Sequence, residues 1–171
     1  GAECCPGAAV LEAGTRIDFG HVPVLASVGA TALDVFSVPE VAILATGDEI
    51  IDPGIRPAEH QIRNSNSYSL AAQVQRARAV ARVLPVAKDS YESTRSLIEQ
   101  GFQSDMLLLS GGVSAGKYDI VENVLADLGA EFFFDRVLIQ PGQPVVFGRV
   151  QDPFFFGLPG NPASTMVTFE I

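Results

Sequence analysis

Apolar and polar positions follow two alternating patterns along most of this chain. Short apolar segments are typical of strands buried on both faces of a sheet, and they predict strands at residues 41–45, 80–86 and 106–109. Between and after these segments the apolar positions recur at helical spacing, which predicts helices at residues 65–77, 93–100 and 121–128. The alternation indicates an α/β fold with three layers, α/β/α, and a mainly parallel sheet.

The last third of the chain carries closely spaced strand segments without helices between them, at residues 132–134, 137–139, 145–147 and 154–156. This spacing predicts an antiparallel hairpin around Pro141 and Gly142. We expect the phenylalanine runs in these segments to be core strands. Asn161, followed by Pro162, predicts the start of a final helix.

The first 39 residues follow a different pattern. Asp18 is a candidate cap for a short helix that extends to Val28 and stops at Gly29, and residues 31–38 predict a strand. The segment is too short for its own core. We therefore expect residues 1–39 to be an appendage or the end of a preceding domain, and residues 40–171 to be the α/β domain.

Composition and charge limit the class of protein. The 171 residues are 47% hydrophobic, enough for a substantial core, and no apolar run reaches the roughly 18 residues that a membrane span needs. A net charge of -9 disfavours nucleic acid and anionic membrane surfaces as partners. Cys4 and Cys5 are adjacent, so a disulfide between them would be strained, and we expect a reduced, cytoplasmic protein.

Four segments that follow predicted strands are expected to meet at the carboxyl edge of the sheet, where ligands of open parallel sheets bind. They are residues 46–49, 87–90, 110–119 and 158–164. The segment Ser110–Gly116 holds three glycines and two serines, and its backbone N–H groups predict a nest for a phosphate or pyrophosphate. It matches neither phosphate-binding glycine motif, GxxxxGK[ST] or GxGxxG, and a plain strand-to-helix turn would also explain it.

Acidic residues on the same edge need a second explanation, because they would repel a phosphate. Asp48, Glu49, Asp89 and Asp119 all follow predicted strands. A divalent cation between them and a polyphosphate would remove the conflict, and Mg²⁺ prefers such oxygen ligands. Each acid alone could equally be a helix cap or a solvated loop residue.

The segment LPGNP at residues 158–162 predicts a stiff turn. Such a turn can hold a flat ring or present helix N–H groups to an anion, although a helix start alone would explain it equally well. His21 and His60 have no partners at catalytic spacing, so a serine hydrolase is disfavoured.

The motifs together resemble the molybdopterin molybdenumtransferases. The resemblance is carried, in order, by TGDE at 46–49, NSN at 64–66, SGGVSAGKYD at 110–119, QPGQP at 140–144 and FGLPGNP at 156–162. It implies binding of adenylylated molybdopterin (molybdopterin-AMP), insertion of molybdenum from molybdate at the dithiolene sulfurs, and release of AMP with help from Mg²⁺. It also implies that residues 1–39 are the C-terminal end of a preceding linker or β domain, and that residues 40–171 are the molybdopterin-binding α/β domain of a longer protein. It implies a homodimer for the full-length protein.

Site roles are carried over from this family position by position. The implied catalytic residues are Glu49, Asp89 and Asp119, with Asp119 and Glu49 as ligands of Mg²⁺. The implied substrate-binding residues are Thr46, Gly47, Asp48, Ser110, Gly111, Gly112, Ser114, Gly116, Arg136, Gln140, Pro159, Gly160, Asn161 and Pro162.

One departure from the family pattern bears on the anion. Gln140 and Gln143 stand where members commonly carry lysine, and the loss of two ammonium groups should weaken anion binding. Two other functions stay open. One is the related molybdopterin adenylyltransferase, and the other is a non-catalytic binding or scaffold module of the same fold.

Overall fold

The computed structural model describes Cys5, residues 7–112 and residues 120–171. The chain divides into two units, Gly1–Ser37 and Val38–Ile171. The described part of the first unit contains one short helix, α1 (His21–Ser27), none of whose residues is buried. Among the described residues, no helix is both long and apolar enough to cross a membrane.

The second unit is built around a six-stranded sheet. Its strands and those of a small two-stranded sheet are β1 (Glu40–Ala45), β2 (Ile50–Ile51), β3 (Ile62–Arg63), β4 (Val80–Val83), β5 (Met106–Ser110), β6 (Glu131–Phe134), β7 (Val146–Arg149) and β8 (Phe154–Leu158). The main sheet has the order β4-β1-β5-β8-β7-β6. The first four strands are parallel, whereas β7 is antiparallel to both β8 and β6.

Helices cover both faces of this sheet. They are α2 (Asn66–Arg76), α3 (Tyr91–Gly101), α4 (Ile120–Asp127) and α5 (Pro162–Glu170). Side chains of α3 and α4, such as Ile98 and Val124, pack with Leu44 and Leu107 on one face. Leu70 of α2 packs with Ile43 on the other face, where Phe169 of α5 also lies. The prediction of a three-layer α/β fold with a mainly parallel sheet is confirmed.

The central strands are buried as the apolar runs predicted. Val41 to Ala45 are all 7% exposed or less, because helices cover β1 from both sides. At the sheet edge the prediction for phenylalanine is wrong. Phe132, Phe133 and Phe134 are 39–44% exposed, because β6 is an edge strand.

Three local predictions are wrong and one is confirmed. Residues 31–38 and 137–139 form no strand, since neither segment pairs in a sheet with any other described residue. Asp18 does not cap α1; its Oδ1 accepts a hydrogen bond from Gly20 N at 2.8 Å. The expected antiparallel pair is present, with β6 and β7 joined through residues 135–145.

Candidate functional site

Backbone hydrogen bonds join the segments that follow the parallel strands. Thr46 N donates to Ser110 O at 3.2 Å, and Gly47 N donates to Ala87 O at 3.1 Å. Gly111 N donates to Leu158 O at 3.4 Å. The segments after β1, β4, β5 and β8 therefore meet at one edge of the sheet, as the sequence predicted.

The connections at this edge leave the sheet on opposite sides. The chain after β1 continues to α2 on one face, whereas the chain after the neighbouring strand β5 continues to α4 on the other. A crevice opens where adjacent parallel strands diverge in this way, and ligands of open α/β sheets bind in it.

A cavity of about 370 Å³ lies at this point. This volume is within the range of about 300–1,000 Å³ for small-molecule pockets. Its lining residues are Thr46, Glu49, Ile50, Ile62, Asn66, Ser110, Gly111, Gly112, Pro144, Pro159 and Gly160. Polar groups and glycine backbone thus share one pocket with isoleucine and proline side chains, an arrangement that suits a ligand with both a flat apolar part and an anionic part.

Glycine backbone forms one side of the cavity. Gly111 and Gly112 have φ angles of +85° and +65°, a region that side chains other than glycine rarely adopt. A Cβ on Gly111 would lie 3.1 Å from Thr46 O. The absence of side chains lets the segment after β5 approach the segment after β1, and it exposes backbone to the cavity.

The Glu49 carboxylate folds back over Gly47. A Cβ on Gly47 would lie 2.7 Å from Glu49 Oε2, and Gly47 has a φ of +142°. Glycine at position 47 therefore makes room for the carboxylate, which sits at the wall of the cavity and is exposed to solvent.

Asp48 and Asp89 are joined by two hydrogen bonds, in which each carboxylate accepts from the backbone N–H of the other residue. Asp48 N donates to Asp89 Oδ2 at 3.3 Å, and Asp89 N donates to Asp48 Oδ1 at 3.2 Å. Both residues are exposed, and each carboxylate uses one oxygen in this exchange. The pair ties the segment after β1 to the segment after β4, beside the cavity wall that Glu49 forms.

The LPGNP turn lines the cavity with two of its residues and caps helix α5 with the residue that follows them. Pro159 is buried and lines the cavity together with Gly160. Asn161 Oδ1 accepts hydrogen bonds from Ala163 N at 3.0 Å and Ser164 N at 3.2 Å, and Pro162 is the first residue of α5. The predicted helix start at Asn161 is confirmed, and its side chain is occupied as a cap.

Arg136 and Gln140 are exposed and do not line the cavity. Arg136 Nε donates to Asp135 Oδ1 at 3.2 Å, and this contact lowers the pKa of Asp135. The Asp135 carboxylate therefore stays ionised to a lower pH than it would without Arg136. From the same connecting segment, only Pro144 reaches the cavity wall.

Three residues of the predicted site, Ser114, Gly116 and Asp119, lie outside the described residues. In the ranges 7–112 and 120–171, no group of three or more His, Cys, Asp or Glu side chains is arranged to hold a metal ion. The roles of Glu49, Asp89 and Asp119 in catalysis and metal binding stay predictions.

Sequence reasoning missed four residues of the cavity wall: Asn66, Ile50, Ile62 and Pro144. Ile50 and Ile62 are paired in the small sheet of β2 and β3. Asn66 is the first residue of α2, and its Nδ2 donates to Ser110 Oγ and to Gly160 O, both at 2.8 Å. The NSN motif was a signal for Asn66, but it indicated only a helix start and a family resemblance.

Comparison with known proteins gives a family match over most of the chain. Residues 42–171 match the family described as "probable molybdopterin binding domain". The chain is 36% identical to the molybdopterin molybdenumtransferase of Nostoc sp., over 95% of the chain and 38% of that protein. It is 31% identical to the protein of the same name from Bacillus subtilis, over 100% of the chain and 40% of that protein. The chain spans about two fifths of the length of these curated relatives.

Solved structures agree with this match. The molybdopterin biosynthesis MoeA protein from Pyrococcus horikoshii superposes with a TM-score of 0.77 at 32% identity, over 92% of this chain and 39% of that one. Molybdenum cofactor biosynthesis protein B superposes with a TM-score of 0.56 at 14% identity, over 80% of this chain and 89% of that one. The second likeness shows the fold alone.

Proposed function

This chain belongs to the family of molybdopterin-binding domains, and we propose that its cavity is the substrate-binding core of a molybdopterin molybdenumtransferase. The substrate would be adenylylated molybdopterin, which receives molybdenum from molybdate at its dithiolene sulfurs while AMP is released. The observation that carries the proposal is the convergence of glycine backbone, Glu49 and apolar walls on one cavity at the sheet edge.

The two kinds of cavity wall suit the two parts of this substrate. The glycine backbone at Gly111 and Gly112 can approach the pyrophosphate closely, since no side chain intervenes. Ile50, Ile62 and Pro159 offer apolar surface to a flat ring. Thr46 and Ser110, which also line this cavity, add hydroxyl groups.

The carboxylates suit a magnesium ion that arrives with the pyrophosphate. Mg²⁺ is usually held by one or two carboxylates together with substrate phosphates and waters, and Glu49 supplies a solvent-exposed carboxylate at the wall. We assign Glu49 and Asp119 as its ligands, and Glu49, Asp89 and Asp119 as the catalytic acids. When bound, the ion would neutralise the negative charge of the pyrophosphate oxygens.

Arg136 and Gln140 are assigned to the anionic end of the substrate or to molybdate. Arg136 must leave Asp135 to do so. We also propose a reducing, cytoplasmic location, which the adjacent cysteines favour, and a homodimer for the full-length protein.

Calorimetry tests this function directly. Wild-type protein is titrated with adenylylated molybdopterin in Mg²⁺ and in EDTA, alongside Glu49→Gln, Asp119→Ala and the control Glu59→Gln, an exposed acid outside the cavity lining. We expect binding that requires Mg²⁺, that weakens at least tenfold in the first two variants, and that is unchanged in the control.

The outcomes separate the parts of the proposal. Binding that ignores both Mg²⁺ and Glu49 would remove the cation role but leave the cavity assigned. No binding at all would contradict the proposed function. Formation of adenylylated molybdopterin from ATP and molybdopterin would instead favour the adenylyltransferase.

A further inference from the structure

Asn66 joins two segments of the cavity wall that are far apart in the chain. It begins α2, but Asn64 takes the capping role there, because Asn64 Oδ1 accepts a hydrogen bond from Ser67 N at 3.1 Å. The Asn66 side chain is thereby free of the helix end. Its Nδ2 donates instead to Ser110 Oγ after β5 and to Gly160 O after β8, both at 2.8 Å.

The orientation of the Asn66 amide is fixed by one of these partners. A backbone carbonyl can only accept a hydrogen bond, so the amide nitrogen must face Gly160 O. The reversed amide would place two oxygen atoms against each other. Both N–H groups of Asn66 are therefore committed, one to Gly160 O and one to Ser110 Oγ.

This orientation decides what the Ser110 hydroxyl can do. Ser110 Oγ already accepts from Asn66, and within the described residues the hydroxyl donates to no protein acceptor. Ser110 is 2% exposed and lines the cavity. Its one proton is thus available to a hydrogen-bond acceptor that enters the cavity.

The unpaired oxygen of the same amide argues against a purely stabilising role. Asn66 Oδ1 is buried without a hydrogen-bond partner among the described residues. A buried acceptor left unpaired lowers stability, and such groups in folded proteins call for an explanation. Here the explanation is that the amide nitrogen must donate to Ser110 Oγ and Gly160 O, and this orientation leaves Oδ1 without a partner among the described residues.

We propose that Asn66 is a positioning residue for the substrate anion. It donates to Ser110 Oγ, so that the hydroxyl proton is directed away from Asn66 and towards an oxyanion in the cavity. The role rests on the proposed function, because the oxyanion is the pyrophosphate of adenylylated molybdopterin.

A double-mutant cycle separates this role from a structural one. Asn66→Ala, Ser110→Ala, the double variant and the control Ser65→Ala are titrated with adenylylated molybdopterin and, separately, with inorganic pyrophosphate in Mg²⁺. Thermal unfolding checks that each variant is folded. If Asn66→Ala does not fold, Asn66→Ser takes its place, since serine suits a helix start but is too short to reach both acceptors.

We expect each single variant to bind about tenfold to a hundredfold more weakly. The double variant should bind no more weakly than Ser110→Ala, because Asn66 acts through that hydroxyl. Ser65→Ala should bind like the wild type. The proposal would be overturned if the loss of affinity in the double variant equalled the product of the two single losses. It would also be overturned if Asn66→Ala bound as tightly as the wild type.

The two probes distinguish failure of the inference from failure of the function. Binding of pyrophosphate without adenylylated molybdopterin would contradict the proposed function, while the cycle on pyrophosphate would still decide the role of Asn66. If the wild type binds neither probe, both are wrong.

Discussion

Alanine at position 111 tests whether glycine backbone builds the binding site. Gly111 has a φ of +85°, and a side chain in the left-handed region costs about 1–2 kcal/mol. The added Cβ would also lie 3.1 Å from Thr46 O, which is tighter than an ordinary contact. Hydrogen bonds on both sides of the segment, to Thr46 and to Leu158, limit how far it can move away.

Gly129 provides a matched control. Its φ of +80° is nearly the same, but a Cβ there would meet no atom within 4 Å, and the residue lies beyond the end of α4 rather than at the cavity. Gly129→Ala should therefore show the backbone cost alone. At about 2–4 °C for each kcal/mol in a chain of this size, both variants should unfold about 2–8 °C lower, with Gly111→Ala the lower of the two.

Ligand binding is the decisive measurement. Gly111→Ala should weaken adenylylated molybdopterin by at least tenfold in calorimetry, since the segment must shift away from Thr46, whereas Gly129→Ala should bind like the wild type. Equal affinities in the two variants would refute the reasoning, because they would show that Gly111 contributes only to folding.

Three further substitutions test other parts of the structure. Asn161→Ala removes the oxygen that caps α5 and should lower the free energy of unfolding in urea by about 1 kcal/mol; an unchanged value would contradict the cap. Phe155→Ala empties a fully buried site and should cost about 3–5 kcal/mol in the same assay, whereas Phe154→Ala, at a side chain 40% exposed, should cost much less. Asp135→Asn releases Arg136 from its ion pair and should strengthen pyrophosphate binding in calorimetry at low salt; unchanged affinity would count against a role for Arg136.

The layered core could be predicted because burial on both faces leaves a simple pattern. β1 and β5 are central strands covered by helices from both sides, so their sequences are continuous apolar runs. The same logic fails at the edge of the sheet. The apolar run at β6 has the pattern of a buried strand. Whether a strand lies at the centre or at the edge of the sheet depends on the strand order, however, and a local sequence pattern does not contain that order.

Strand-like sequence also needs a partner. Residues 31–38 include Thr31, Val35, Phe36 and Val38, residue types that favour a strand, but they pair with nothing among the described residues. Phe36 is 93% exposed there. A strand is stable only through its neighbours, so the prediction lacked the information that mattered.

The candidate site also has one part that the sequence could predict and one part that it could not. The convergence of the strand ends followed from the parallel topology alone. The part played by Asn66 did not, because its partners lie 44 and 94 residues away in the chain. Residue type and local spacing cannot show a contact of that range.

The position of β8 in the sheet has a consequence for the order in which the chain is made. Of the six strands in the main sheet, β8 comes last along the sequence, yet it lies between β5 and β7. Protein synthesis adds about 5–20 residues per second, so several seconds pass between the synthesis of β5 and that of β8. During this time β5 has an unpaired apolar edge, the kind of edge that promotes association between chains. The hydrogen bond from Gly111 N to Leu158 O cannot form before β8 has been synthesised. The cavity therefore cannot be complete before the segment after β8 is made, and a chain interrupted before residue 154 lacks it.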